Sequence, residues 1–279
     1  MTGGPATAGA AGRTAARTAR RMAGDPASGT PTAPVVVLTY AGAGASRLRA
    51  VFADPGEMAC SSGTGLLPLC ETALATWRQA EGGRTSSLAV ASVRRLATGM
   101  INAMLVRSGR RRWCETAIAQ ADNARAFRNV FPEARFVCLH RSAPDMIYAM
   151  LRGTPWGPTG TAFAPYVAAH PGSPVAAMAA YWTAHAGPLL EFERAFPKSC
   201  LRVRYEDLVG RRGEVSGELA GFLGVPLPRG GAGDGPPAPS GPDAPGCGAD
   251  VPASDLTAPL RAEVDRLHAA LGYPPLPDD

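Results

Sequence analysis

From Pro34 onward, short unbroken apolar runs alternate with longer stretches in which apolar residues recur every three or four positions. The first pattern marks a strand covered on both faces, the second an amphipathic helix. By that criterion VVVLT (35–39), RRWCE (111–115), RFVCLH (135–140) and CLRVRY (200–205) are predicted strands. GLLPLCETALATWRQA (65–80), SLAVASVRRLATGMINAML (87–105), PDMIYAML (144–151) and LTAPLRAEVDRLHAALGY (256–273) are predicted helices, the third with its proline in the first turn, where a missing N–H costs nothing. PVAAMAAYWTAHAGPLLEFERAF (174–196) is a longer helix that Pro188 is expected to kink or split. Strands alternating with helices imply an α/β domain, a parallel β-sheet flanked by helices.

Two segments break the pattern. Residues 1–33 hold Ala, Gly, Thr and Arg with almost no large apolar side chain, so burial cannot offset the entropy of ordering them and a disordered tail is expected. Its composition imitates an organelle transit peptide, but the same Ala/Gly/Arg bias runs through the whole chain. Residues 228–255 are a Gly/Pro-dense connection inside the expected 34–279 domain.

Charge narrows the function classes. The net charge is +5, but the first 33 residues carry +3 of it, leaving +2 for the rest. That is too little for a broad nucleic-acid footprint, which needs Lys and Arg clustered on one face. A small anionic ligand needs just two or three well-placed donors. No apolar stretch approaches the ~18 residues of a membrane-spanning helix, so no membrane partner is expected. The six cysteines contain no C-x-x-C pair and no His spaced to complete a zinc set, so buried free thiols, no metal and a reducing cytoplasm are expected.

The chemistry concentrates at LTYAGAGASRL (38–48), where a buried strand runs into a small-residue turn and then a helix. Such a junction aims backbone N–H groups and a helix N-terminus at the carboxyl edge of the sheet, where anions bind. A turn of this composition also serves packing alone, and the full Walker pattern is absent. The chain has a single lysine, Lys198, far from this turn.

Three motifs in order resemble the PAPS-dependent sulfotransferase family. Thr39, Tyr40, Gly44, Ser46 and Leu48 fall on its T-Y-P-K-S-G-T-T loop without a gap. RFVCLHRSAPDMIYAML matches its strand ending in Arg followed by Asp and a helix, through Arg141 and Asp145. CLRVRYEDLVG and LAGFLGVPL supply its late Y-E-D-L and F-L-G. The resemblance spans roughly residues 35–275 on motif spacing. It implies a P-loop-like sulfotransferase fold, PAPS (3′-phosphoadenosine 5′-phosphosulfate) as co-substrate and a hydroxylated small-molecule or glycan acceptor. It places Tyr40, Gly42, Ala43, Gly44, Ala45 and Ser46 around the phosphosulfate, Arg141 on the 3′-phosphate, and Tyr205 near the adenine or in the core. Glu206 and Asp207 read as capping or arginine-pairing groups.

The pattern also breaks. Gly42 stands where the family has Lys or Arg, and Ala43, Ala45 and Ala149 replace three hydroxyl residues. In RWCETA, Glu115 takes the place of a lysine and Ala117 that of a histidine found in some members. Glu115, at a strand's carboxyl end, is the candidate catalytic base, since a desolvated carboxylate has its pKa raised into a useful range; it also reads as an ordinary strand-end carboxylate. Arg47 and Arg49 are candidate replacements for the missing cation, although both sit inside the following helix. His140, beside Arg141, is expected to face away; His170, His185, Glu57 and CSSGTG (60–65) have no assigned role. Two further readings are a non-catalytic relative that keeps the pocket, and a P-loop kinase, for which the loop lacks the Lys-[Ser/Thr] pair.

Overall fold

Val35–Thr39 (β1) is buried at all five positions, as a strand sheathed on both faces must be. In the computed structural model, which describes residues 33–53, 58–118, 120–153, 162–227 and 255–277, it is the middle strand of a five-stranded parallel sheet. The others are β2 (Met58–Ser62), β3 (Arg112–Ile118), β4 (Arg135–His140) and β5 (Cys200–Arg204), in the order β2-β3-β1-β4-β5. The expected tail and the Gly/Pro-rich connection, Ala33 and Asp255 apart, lie outside the described residues, as do Glu57 and Cys247.

The register aligns Val35 with Cys114 and Arg135, and Cys60 with Cys114, so the carboxyl ends of β2, β3, β1 and β4 converge on one edge. Each fully buried Val or Leu of β1 contributes about 1.5–3 kcal/mol. Helices α1 (Ala45–Ala53), α2 (Leu66–Ala80), α3 (Ser87–Ser108) and α4 (Ala121–Val130) come from the first half. Then follow α5 (Ala143–Gly153), α6 (Ala164–Ala169), α7 (Pro174–Ala195), α8 (Tyr205–Gly210), α9 (Arg212–Leu223) and α10 (Ala258–Leu271). α7 crosses β1, β4 and β5 and gathers α5, α6 and α10, whereas α3 lies along β2 and β3 against α2 and α4.

Four points differ from the sequence reading. MACSS, left unassigned between helices, is edge strand β2. Tyr205 opens α8 instead of closing β5. β3 runs on to Ile118, carrying Glu115 away from the strand's end into its middle. α7 passes unbroken through Pro188, because Leu189, Leu190 and Phe192 just beyond it are buried, and their burial outweighs the lost hydrogen bond.

The five described cysteines are free thiols. His140 turns toward α7, where Nε2 lies 2.6 Å from Glu193 Oε1, and Arg202 Nε donates to Glu193 Oε2 at 2.7 Å. Among the described residues no helix is long and apolar enough to cross a membrane, and no cluster of three or more His, Cys, Asp and Glu is placed to hold a metal ion.

Candidate active site

The chain leaves β1 through a turn that requires glycine. Gly42 and Gly44 have φ of 79° and 90°, the left-handed region that costs other residues about 1–2 kcal/mol. Ala43 N–H closes the turn on Tyr40 O at 3.2 Å.

Three outside groups fix this loop. The Arg141 guanidinium donates through Nη1 to Gly42 O at 2.8 Å and lies 4.3 Å over the Tyr205 ring. The Tyr181 hydroxyl, from α7, accepts Ala41 N–H at 3.1 Å. The Tyr40 hydroxyl both accepts Arg141 N–H and donates to Arg141 O, each at 2.9 Å, and Trp182 Nε1 donates to the same carbonyl. Burial pushes the Tyr40 phenol far above its ordinary range, so it stays a neutral hydrogen-bonding group.

The loop therefore presents a rigid amide surface. Among the described residues, the N–H groups of Gly42, Gly44 and Ala45 have no intrachain acceptor. They stand at the N-terminus of α1, whose first turn contains no acidic residue to compensate the helix dipole. Unpaired donors at a positive helix end are a ready oxyanion site.

These residues line a cavity of about 630 Å³ at the carboxyl edge of β1, β2 and β3. Tyr40, Gly42, Gly44, Ala45 and Ser46 form one wall and Glu115, Thr116, Gln120 and Asn123 another. Of the expected loop residues Ala43 is the exception, being fully buried beneath the turn. Arg49 and Ser62 close one side. Thr116 Oγ1 is buried without a hydrogen-bond partner, so the cavity wall carries an orphaned hydroxyl.

Glu115 is buried and faces the same space. Its Oε1 accepts Thr64 N–H at 3.0 Å and its Oε2 accepts the Thr64 hydroxyl. Burial raises the carboxyl above its ordinary value, and the Thr64 donors oppose that rise by favouring the anion. Thr64→Val removes one of them, so the Glu115 carboxyl should titrate at still higher pH, as followed by carboxyl 13C NMR. An unchanged midpoint would show that the Thr64 hydroxyl does not hold the anion.

Arg141 and Tyr205 lie on the loop side of the sheet but are turned inward. Arg141 is fully buried with one guanidinium arm on the Gly42 carbonyl, and Tyr205 packs its ring under Gly44. Both buttress the loop in this structure instead of standing open beside it. Ala149 is buried on α5, and its neighbour Met150, with Met146, packs over Gly42. Glu206 accepts Ser142 N–H and the Tyr273 hydroxyl, while Asp207 pairs with Arg204 and Arg211. His268 Nε2 accepts Ala143 N–H at 3.1 Å, so the amides at the start of α5 are already occupied. His185, its pKa lowered by burial, stacks on Tyr181 behind the loop.

Sequence reasoning missed Thr64, Tyr181, Trp182 and Thr116. Thr64 lay within the quoted CSSGTG, but nothing local marks it as the partner of Glu115, 51 positions away.

A family model described as the Sulfotransferase family matches residues 70–229. The matched segment takes in Glu115, Arg141 and Tyr205 and begins beyond the 40–46 loop. Among solved structures, the sulfotransferase domain from the curacin biosynthetic pathway is similar at 18% identity and TM-score 0.58, covering 88% of this chain and 99% of that one. The sulfotransferase domain from the Synechococcus PCC 7002 olefin synthase is similar at 18% identity and TM-score 0.54, covering 90% and 98%. At that identity the likeness speaks for the fold. Comparison with curated protein sequences gives no significant match.

Proposed function

The chain belongs to the sulfotransferase family, and on that premise we propose that it moves a sulfuryl group from PAPS to a hydroxyl of a small-molecule or glycan acceptor. The observation that carries this reading is one cavity holding both halves of the chemistry: three unpaired amides at the head of α1, and a buried carboxylate across from them. PAPS supplies the sulfuryl group and a bisphosphate leaving group. The chain's own residues then have separable tasks. The amides of Gly42, Gly44 and Ala45 receive oxyanion charge without reorganising, because Tyr181 and Arg141 already fix the loop. Glu115 accepts the proton of the acceptor hydroxyl, and Thr64 holds its oxygens in place. A cytoplasmic location is part of the proposal, in keeping with the free thiols.

A second reading has its own support. The inward-facing Arg141 and the absence of a loop lysine suit a relative that binds nucleotide without turnover. Calorimetric titration with PAPS, adenosine 3′,5′-bisphosphate and ATP, then mass-spectrometric screening of hydroxylated acceptors, separates the two. Transfer is the expected result. Binding without transfer to any acceptor favours the second reading, and no binding of either sulfonucleotide or bisphosphate overturns both.

A further inference from the structure

The cavity that receives the phosphosulfate in this reading has almost no charge of its own. Among the described residues lining it, Arg49 alone is cationic and Glu115 alone anionic. The loop cannot contribute a cation, since its central positions are Gly42, Ala43 and Gly44.

Arg49 sits in the second turn of α1, four residues after Ala45, and so on the same helix face as that amide. Helical side chains lean toward the N-terminus, so a long one at this position lies over the preceding turn and extends toward the helix's positive end. Its Nη1 donates to Ser62 Oγ, at the end of β2, at 3.2 Å. The guanidinium thus spans from α1 to the edge strand across one side of the cavity. Its Nε is buried with no acceptor. That atom is shut off from solvent, so an anion in the adjoining cavity would meet the terminal nitrogens of the guanidinium. Glu115 does not occupy them, because its two oxygens are held by Thr64. Arg47, the other arginine of this helix segment, is not part of the cavity wall.

We propose that Arg49 supplies the positive charge that the loop lacks, facing the leaving phosphate during transfer. This rests on the sulfuryl-transfer reading. In the step, the acceptor oxygen bonds to sulfur as the bond from sulfur to the 5′-phosphate oxygen breaks. The electron pair of the broken bond stays with that oxygen, the acceptor proton goes to Glu115, and Arg49 balances the charge left on the phosphate. The cation reaches the site from the helix face, where the family loop has Lys or Arg on the turn itself.

The test compares wild type with Arg49→Met, Arg49→Lys and Arg49→Ala. In Arg49→Met, titration with adenosine 3′,5′-bisphosphate should show affinity lower by about 10–100-fold, the size of one lost charge-assisted hydrogen bond. Its kcat should fall by about 10²–10³-fold. Arg49→Lys, which keeps the charge, should retain more of both, and guanidinium ion added to Arg49→Ala should restore turnover, an effect that a purely structural arginine would not show. Wild-type binding and turnover in a folded Arg49→Met protein would overturn the assignment while leaving the sulfuryl-transfer reading standing. Failure of the wild type itself to bind the bisphosphate or PAPS would remove that reading, and the assignment with it.

Discussion

Glu115→Gln is expected to lower kcat by about 10²–10⁴-fold, the range for loss of a general base, with adenosine 3′,5′-bisphosphate binding retained. Glutamine keeps the shape of the side chain, and its carboxamide can still accept from Thr64 N–H and donate to the Thr64 hydroxyl, so the wall of the cavity survives. What disappears is a group able to take a proton. The pH profile offers a sharper signature. Burial raises the Glu115 carboxyl above its ordinary value of 4.5 and the base works when ionised, so wild-type kcat/KM should climb with pH through a limb centred above that value. The limb should vanish in the variant. Stability runs the other way: a carboxyl whose folded pKa is raised stabilises the fold fully below its unfolded pKa and loses that contribution as pH rises through the folded pKa. At neutral pH the glutamine variant should therefore be at least as stable as wild type. An unaltered kcat and an unaltered acid limb would remove Glu115 from the reaction.

Gly44→Ala should be the most damaging single methyl in the loop. An added Cβ would stand 2.2 Å from Tyr205 Cδ2 and 2.3 Å from Cε2, and Tyr205 is buried beneath the Arg141 guanidinium with no room to retreat. The φ of 90° adds strain that alanine does not tolerate. Left-handed strain of about 1–2 kcal/mol and overpacking of about 1–3 kcal/mol together lower the melting temperature by on the order of 10 °C. Gly63→Ala is the internal control: its φ of 67° imposes comparable strain, but a Cβ there meets nothing within 4 Å. Differential scanning calorimetry should separate the two variants by the overlap alone. Equal melting temperatures would mean that the ring of Tyr205 does not support the loop.

How much of this was legible beforehand depended on where the information sits. β1 and β4 announced themselves because a strand covered on both faces needs a continuous apolar run, and residues 35–38 and 136–139 supply one each. β2 did not, because an edge strand is half-exposed and MACSS carries small and polar residues that read equally well as a turn. The loop was legible because left-handed turns recruit glycine. Its supports were not: Tyr181 lies 140 positions from Ala41, and Arg141 99 positions from Gly42. Such contacts come from α7 and from the residue that follows β4, which the assembled sheet brings to the loop. The direction of Arg49 falls between these cases. Its position inside the helix suggested a side chain pointing away, whereas the lean of helical side chains toward the N-terminus carries it back to the cavity.

The packing of α5 over the turn has an evolutionary consequence. At position 42 any side chain would begin 2.9 Å from Met150 Cγ and 3.1 Å from Met146 Cγ, on a backbone that only glycine adopts without strain. A lysine at this position would therefore strain the turn and force Met146 and Met150 to repack. Substitutions at 42, 146 and 150 are thereby expected to be epistatic, a lysine being better tolerated where smaller side chains replace the methionines.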